Sequence, residues 1–113
     1  MTIPVYQWQP STAQIAAGAG IAPEDVIRFD HGERTFAVYR TLDDEFYATD
    51  GLCTHEQVHL ADGLVIDTII ECPMHQGRFD IRDGKAKSAP VCVDLKTHPT
   101  KVEAGKVYIG LEG

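Results

Sequence analysis

The stretch of sequence that decides the fold is residues 53–80, CTHEQVHLADGLVIDTIIECPMHQGRFD. Within it stand two short pairs, Cys53-Thr-His55 and Cys72-Pro-Met-His75, and sixteen residues separate the first pair from the second. Two thiols and two imidazoles form a set of four ligands that suits either tetrahedral zinc or an iron–sulfur cluster. The sequence therefore predicts a metal centre in which each of two tight loops supplies one sulfur and one nitrogen.

The spacing within each pair indicates how a two-iron cluster would be held. One residue separates Cys53 from His55, and two separate Cys72 from His75, so each loop can offer one ligand to each iron. The two cysteines would bind an inner iron and the two histidines an outer iron at the tip of the subdomain. Backbone N–H groups must approach the bridging sulfides where a side chain would intrude, and Gly77 is the best-placed glycine for that approach.

The chain on either side of this stretch predicts short antiparallel strands in a single domain. Six runs are predicted as strands: residues 3–8, 26–29, 35–40, 46–49, 91–95 and 106–109. Turns are predicted at residues 30–33, 43–45 and 103–105. Residues 11–20 fit either a helical turn or a loop. The predicted fold is all-β, with an antiparallel sandwich or barrel base over residues 1–49 and 90–113 and a glycine-rich subdomain inserted over residues 50–89.

These motifs resemble those of the Rieske-type ferredoxins, the electron-transfer components of bacterial aromatic-ring dioxygenase systems. The resemblance rests on Cys-Thr-His, the sixteen-residue interval and Cys-Pro-Met-His, followed by Gln76-Gly-Arg-Phe-Asp80. It extends to Asp62-Gly63 before the second pair and to Ala89-Pro90 after it, which in the family lies in a loop that shields the cluster. It implies a small β-sandwich base, a cluster-binding subdomain and one [2Fe–2S] cluster per chain. The ligands implied are Cys53, His55, Cys72 and His75.

The function implied by the resemblance is that of an electron carrier and not of an enzyme. Members of the family shuttle single electrons from an NAD(P)H-dependent flavin reductase to a terminal oxygenase, and both partners dock transiently at the cluster tip. Only 38 residues follow His75, and His98 is the single histidine among them. A mononuclear-iron oxygenase domain, which needs two histidines and a carboxylate, therefore has no room. The alternative from the residues is a structural zinc module that acts as a binding domain, although zinc does not require glycine-rich flanks.

The sequence departs from the Rieske subunits of respiratory cytochrome complexes in ways that bear on the reduction potential. Those subunits carry an extra cysteine in each loop, joined by a disulfide, where this chain has Val58 and Met74. They also place a serine and a tyrosine hydroxyl against the cluster, where this chain has Gly77 and Phe79. Because neither replacement side chain can donate a hydrogen bond, the reduced cluster is stabilised less. We expect a potential at the low end of the range of about −150 to +300 mV for Rieske centres.

The amino-acid composition indicates which classes of binding partner and which cellular compartment to expect. Seventeen acidic residues against ten basic ones give a net charge of −7, which disfavours nucleic acid and anionic membranes as partners. The same charge suits solubility or docking onto a basic patch of another protein. No apolar run approaches the roughly 18–20 residues that a membrane span needs, and residues 1–8 lack the basic start of a signal peptide. We expect a cytoplasmic protein, in which three cysteines point to metal or redox chemistry rather than to disulfides.

The remaining histidines and the third cysteine have simpler predicted roles. We expect His59 to be a surface residue near the tip, and His31 and His98 to face solvent. Cys92, between two valines, is predicted to be a small buried hydrophobic residue on a strand. A docking surface is predicted from exposed positions around the ligand loops, namely Glu56, Gln57, Leu60 and Met74.

Overall fold

A computed structural model of the chain describes residues 6–14, 21–54, 57–74, 77–88 and 93–112. Within these ranges the chain forms short strands and one 3₁₀ turn at Leu60–Asp62. The strands are β1 (Tyr6–Gln14), β2 (Asp25–His31), β3 (Arg34–Arg40), β4 (Phe46–Asp50), β5 (Leu64–Ile66), β6 (Ile69–Glu71), β7 (Arg78–Asp80), β8 (Ala86–Ser88), β9 (Thr97–His98), β10 (Thr100–Glu103) and β11 (Lys106–Glu112). The all-β prediction is confirmed. Across the described residues, no helix is long and apolar enough to span a bilayer.

Two antiparallel sheets form a sandwich base. One has the strand order β1-β11-β10 and the other β2-β3-β4-β9. A single core cluster joins them, because Phe36 and Val38 of β3 share it with Val107 and Ile109 of β11, all completely buried. Burial of each such side chain contributes about 1.5–3 kcal/mol. The base holds β4 and β9 as neighbours, and these are the two strands from which the chain leaves toward the site and returns from it.

A third antiparallel sheet, in the order β5-β6-β7-β8, is built from the chain between β4 and β9. Its strands are only three residues long, and its inward side chains join a second core cluster that includes Ile70 and Phe79. The base sheet adds Ala37 and Tyr39 to this cluster. The third sheet therefore packs on the base instead of standing apart from it, and the boundaries at residues 50 and 89 stay a prediction.

The hairpins of the base follow the predicted turns. Gly32 has a φ of +62°, Asp44 of +59°, and the consecutive Ala104 and Gly105 have φ of +50° and +76°. Tight hairpin turns use this left-handed backbone conformation. The twist of such turns matches the right-handed twist of the flanking strands. These turns fix a continuous antiparallel register from the pair of Asp25 with Arg40 onward.

Two strand predictions differ from the structure. The first strand, predicted over residues 3–8, begins among the described residues at Tyr6 and continues to Gln14, with an irregular register between Pro10 and Gln14. The strand predicted over residues 91–95 is wrong for Val93 to Leu95, which lie in no strand. The Leu95 N–H bonds to Gly84 and the Val93 carbonyl accepts from Thr54, so these backbone groups do not pair with one neighbouring strand. Residues 91 and 92 lie outside the described residues.

Candidate metal centre

Two loops of the same form begin at the two cysteines. The N–H of Cys53 donates to the carbonyl of Val58 at 3.0 Å, and the N–H of Cys72 donates to the carbonyl of Gly77 at 2.7 Å. Each hydrogen bond joins the cysteine to the residue five positions later, so each loop is closed at its cysteine. His55 and His75 fall inside these two loops and lie outside the described residues, as do Glu56 and Gln76.

Burial distinguishes the cysteines from Thr54 and Met74 of the same loops. Cys53 and Cys72 are each 2% exposed, and both belong to the core cluster that contains Phe79. In contrast, Thr54 and Met74 are exposed, Met74 by 45%. The thiols therefore lie at the inner ends of the loops, where apolar side chains exclude water, while the following residues lead to the surface. Thiolates in such a setting are the ligands that iron–sulfur clusters use, so the described residues fit the group.

The described donors at this place are the two cysteines. Within the ranges that the structure describes, no three His, Cys, Asp or Glu side chains gather around one point. A complete four-ligand set depends on the two histidines, which fall outside those ranges. The assignment of Cys53, His55, Cys72 and His75 as ligands thus stays a prediction. The structure describes the two cysteines of this set.

The stems of the two loops are built differently. The second loop joins β6 to β7, whose register pairs Ile69 with Asp80, Ile70 with Phe79 and Glu71 with Arg78. The first loop follows β4 and has a much shorter stem. Its stem consists of the single bridge between Leu52 and His59, flanked by the hydrogen bond from the Leu60 N–H to the Gly51 carbonyl at 2.8 Å.

Residues 93–96, three of which are predicted as a strand, instead connect the site to the base. Their polar groups bond to the first ligand loop, to Gly84 just before β8, to Ala86 at the start of β8 and to the end of β4. The four hydrogen bonds are Thr54 Oγ1 to Val93 O (2.7 Å), Ala86 N to Asp94 Oδ1 (2.9 Å), Leu95 N to Gly84 O (2.7 Å) and Asp50 N to Lys96 O (2.9 Å). This segment fixes the distance between the first loop and the third sheet.

Two histidine predictions are wrong. His59 is only 6% exposed, and its two ring nitrogens bond to Thr35 Oγ1 at 2.8 Å and to the N–H of Ala61 at 3.0 Å. His98 is 7% exposed, with Nε2 at 2.8 Å from Asp50 Oδ1 and its ring edge-on to Phe36. Both side chains are buried because a polar partner satisfies them inside the fold. His31 is exposed as predicted.

The predicted docking surface needs one correction. Leu60 is completely buried in the core cluster beneath the loops, so it cannot contact a partner. Gln57 and Met74 are exposed as expected. Glu56 and Cys92 lie outside the described residues. Gly77 is buried, and its described bond is the carbonyl that closes the second loop.

The buried His59 predicts a pH dependence of stability. Burial is the main cause that lowers its pKa below the ordinary value of 6.5, and the positive charge of Arg28 adds to the shift. The unfolded chain therefore binds this proton more readily than the folded chain. His59 stabilises the fold fully above pH 6.5, and this contribution decreases as the pH falls below that value. Urea unfolding at pH 7.5 and 5.5 should show a larger loss of stability for the wild type than for His59→Gln, and equal losses would contradict the shift.

Comparison with known proteins agrees with the loops and the fold. The Rieske [2Fe-2S] domain family matches residues 11–99. The ferredoxin component of the naphthalene 1,2-dioxygenase system of Pseudomonas putida is 42% identical over 98 residues, which cover 87% of this chain and 93% of the relative. The Sphingomonas yanoikuyae B1 ferredoxin superposes with a TM-score of 0.79 at 37% identity, covering 89% of this chain and 96% of that one.

A second solved structure shows a relative together with a partner. It is the complex of reduced oxygenase and oxidized ferredoxin in carbazole 1,9a-dioxygenase, with a TM-score of 0.81, 33% identity, and coverage of 91% of this chain and 92% of that one. No zinc module is among these similar proteins. With both cysteine loops, the sandwich base and these relatives in agreement, the chain belongs to the Rieske [2Fe–2S] family, and like its ferredoxin relatives it carries one such cluster and transfers electrons rather than catalysing a reaction.

Proposed function

We propose that this ferredoxin passes single electrons from an NAD(P)H-dependent flavin reductase to a terminal aromatic-ring dioxygenase. We propose Cys53, His55, Cys72 and His75 as the four ligands of its cluster. The observation that carries the proposal is the pair of buried thiols, each at the start of a loop closed over five residues. Because the reductase would draw on NAD(P)H, we place the protein in the cytoplasm.

The chain's own residues supply a dry and rigid inner shell for the cluster. When bound, the cluster accepts and releases one electron. Cys53 and Cys72 would hold the inner iron, and His55 and His75 the outer iron. Leu60 and Phe79, both completely buried, keep water from the cysteine side. Water exclusion and the hydrogen bonds that close both loops limit rearrangement when the charge of the site changes by one.

Exposed apolar side chains around the ligand loops support the proposal that the reductase and the oxygenase dock, one after the other, at this end of the molecule. Leu52 precedes the first cysteine, Met74 lies within the second loop, and Val93 accepts the hydrogen bond from Thr54. All three apolar side chains are at least 39% exposed. We infer that they, together with Gln57, form the contact surface, with Leu52 and Val93 in the place predicted for Leu60.

Reconstituted turnover tests the proposed function. The anaerobically purified protein should contain two irons and two labile sulfides per chain. It should be reduced by a flavin reductase with NAD(P)H and should then support product formation by an aromatic-ring dioxygenase. A cluster-containing protein that accepts no electrons from any such reductase would count decisively against the role, whereas absence of iron and sulfide would count against the cofactor assignment.

Replacement of Phe79 by tyrosine should raise the reduction potential. Phe79 is completely buried in the core cluster that also contains both cysteines, so a new hydroxyl would lie in a dry setting where a donor interacts strongly with a reduced cluster. We expect a midpoint potential above that of the wild type, as measured by redox titration. Phe36→Tyr, which adds the same hydroxyl at an equally buried position of the base, is the control and should leave the potential unchanged.

Replacement of Met74 by aspartate should slow electron transfer to the oxygenase, although the added negative charge beside the cluster also lowers the potential, which by itself favours transfer to the oxygenase. A charge on the apolar tip would be desolvated in the complex, and loss of one central contact of this kind costs about 1–2 kcal/mol. We expect kcat/KM for the ferredoxin to fall by about tenfold. Leu42→Asp introduces the same charge at an exposed residue between β3 and β4, away from the ligand loops, and should have no effect. Equal losses for the two variants would place docking elsewhere.

A further inference from the structure

His59 is a buried, titratable side chain that the proposed electron transfer does not use. It lies in the stem of the first ligand loop, opposite Leu52, and six residues after Cys53. We propose that His59 is a positioning residue, which fastens the first ligand loop to strands β2 and β3 of the base and thereby sets the reduction potential. The inference rests on the ligand assignment proposed above.

The hydrogen bonds of His59 determine the proton on each nitrogen. Nδ1 accepts from the backbone N–H of Ala61 at 3.0 Å, and because an N–H group can only donate, Nδ1 carries no proton. The neutral ring therefore holds its proton on Nε2 and donates it to Thr35 Oγ1 at 2.8 Å. Thr35 in turn donates its hydroxyl proton to Asp30 Oδ1 at 2.5 Å. The result is a directed chain from the loop stem to a carboxylate of the base.

The charges around the ring favour this arrangement. The pKa of Asp30 is lowered by its hydrogen bonds from Thr35 and Arg28, so the carboxylate at the end of the chain stays ionised. Arg28 bonds to Asp30 at 3.0 Å and also opposes a positive charge on His59. Asp62 is the other charged group that acts on the ring. A neutral His59 between a backbone N–H and a polarised hydroxyl has one stable orientation.

The first loop needs such an anchor because its stem is short. Three residue pairs of β6 and β7 hold the second loop, whereas the described stem of the first loop has the single bridge between Leu52 and His59. Gly51 makes the anchor possible, since a Cβ at this position would lie 2.5 Å from His59 Nε2. Loss of the side-chain bond to Thr35 would leave the stem held on β3 by the backbone bond from the Gly51 N–H to the Thr35 carbonyl at 2.9 Å, which does not fix the His59 side of the stem. The backbone donors of the loop would then be less well aligned with the cluster, which lowers the potential.

Four variants and one control distinguish a positioning role of His59 from a role in core packing alone. His59→Leu removes both ring bonds. His59→Gln can keep a donor toward Thr35 but not the bond to Ala61, whereas His59→Asn can keep the acceptor for the Ala61 N–H but cannot reach Thr35. Thr35→Val removes the partner in the base. His98→Leu is the matched control, because His98 is equally buried and also bonds to a carboxylate, that of Asp50, but lies on β9.

The measurements are the midpoint potential, the electron paramagnetic resonance of the reduced protein and hydrogen exchange at the Cys53 amide. For His59→Leu, His59→Asn and Thr35→Val we expect a lower potential, altered g-values and faster exchange. The change in the one-electron equilibrium should be about tenfold, or about 59 mV. His59→Gln should resemble the wild type, and His98→Leu should change thermal stability alone.

The outcomes distinguish this inference from the proposed function. Wild-type g-values and potential in His59→Leu and Thr35→Val would overturn the positioning role while leaving the cluster assignment intact. A variant His59→Asn that resembles the wild type, together with a His59→Gln that resembles His59→Leu, would reduce His59 to a cap of the 3₁₀ turn and would also overturn it. A wild-type protein without a [2Fe–2S] signal would contradict the proposed ligand set itself.

Discussion

Replacement of Cys72 by alanine is expected to abolish cluster binding. Cys72 lies 2% exposed at the inner end of the second loop, so solvent has little access to the position of its sulfur, and alanine supplies no ligand atom in its place. Metal binding by such a site contributes directly to the free energy of folding. We therefore expect the purified variant to contain almost no iron or labile sulfide, to lack the brown colour, and to unfold at a lower temperature. Cys53→Ala should behave in the same way.

The third cysteine provides the matched control. Cys92 lies outside both sequence pairs, and Cys92→Ala should retain two irons and two sulfides per chain. Replacing His75 by cysteine gives a second test, because an added thiolate on the outer iron should raise the average g-value toward that of all-cysteine clusters and lower the potential. Retention of a wild-type spectrum by Cys72→Ala would show that the ligand set is wrong.

Substitution of Gly84 by alanine should destabilise the fold strongly. Gly84 has a φ of +78°, and a Cβ at this position would lie 2.1 Å from the backbone carbonyl oxygen of Leu95. That carbonyl belongs to the 93–96 segment, whose Leu95 N–H bonds to the Gly84 carbonyl at 2.7 Å. The left-handed backbone costs about 1–2 kcal/mol and the displacement of packed backbone about 1–3 kcal/mol more. We expect a loss of about 2–5 kcal/mol of unfolding free energy.

Gly105→Ala isolates the effect of the close contact. Gly105 has a nearly equal φ of +76°, but a Cβ there would meet no atom within 4 Å. Its substitution should cost only the backbone penalty of about 1–2 kcal/mol. Urea unfolding of both variants measures the difference. Equal losses would mean that the 93–96 segment shifts freely and does not hold the third sheet against the base.

The strands that the sequence predicted well are those determined by local signals. Strands β2, β3 and β4 alternate in burial or carry apolar runs, and turn residues such as Gly32 separate them. The two ligand loops are likewise predicted from a local signal, the spacing of cysteine and histidine within a few residues. The structure brings Cys53 and Cys72 into one core cluster, and the four-ligand set stays a prediction.

The features that the sequence did not reveal depend on partners far along the chain. His59 is buried because Thr35, 24 residues away, accepts its proton, and His98 because Asp50, 48 residues away, bonds to its ring. A histidine beside apolar neighbours carries no local sign of such a partner. Likewise, Val93 alternates with its neighbours like a strand residue, but its carbonyl bonds to Thr54, 39 residues away.

The pairing of β1 with β11 has a consequence for biosynthesis. Strand β11 lies between β1 and β10, so the ribosome must release residues 106–112 before the first sheet can assemble. Sequence-distant pairing of this kind slows folding. Until then the core cluster of Phe36 and Val38 lacks Val107 and Ile109, whereas the core cluster around both thiols takes none of its residues from β11. The apolar cover of both thiols can therefore form before the first sheet is complete.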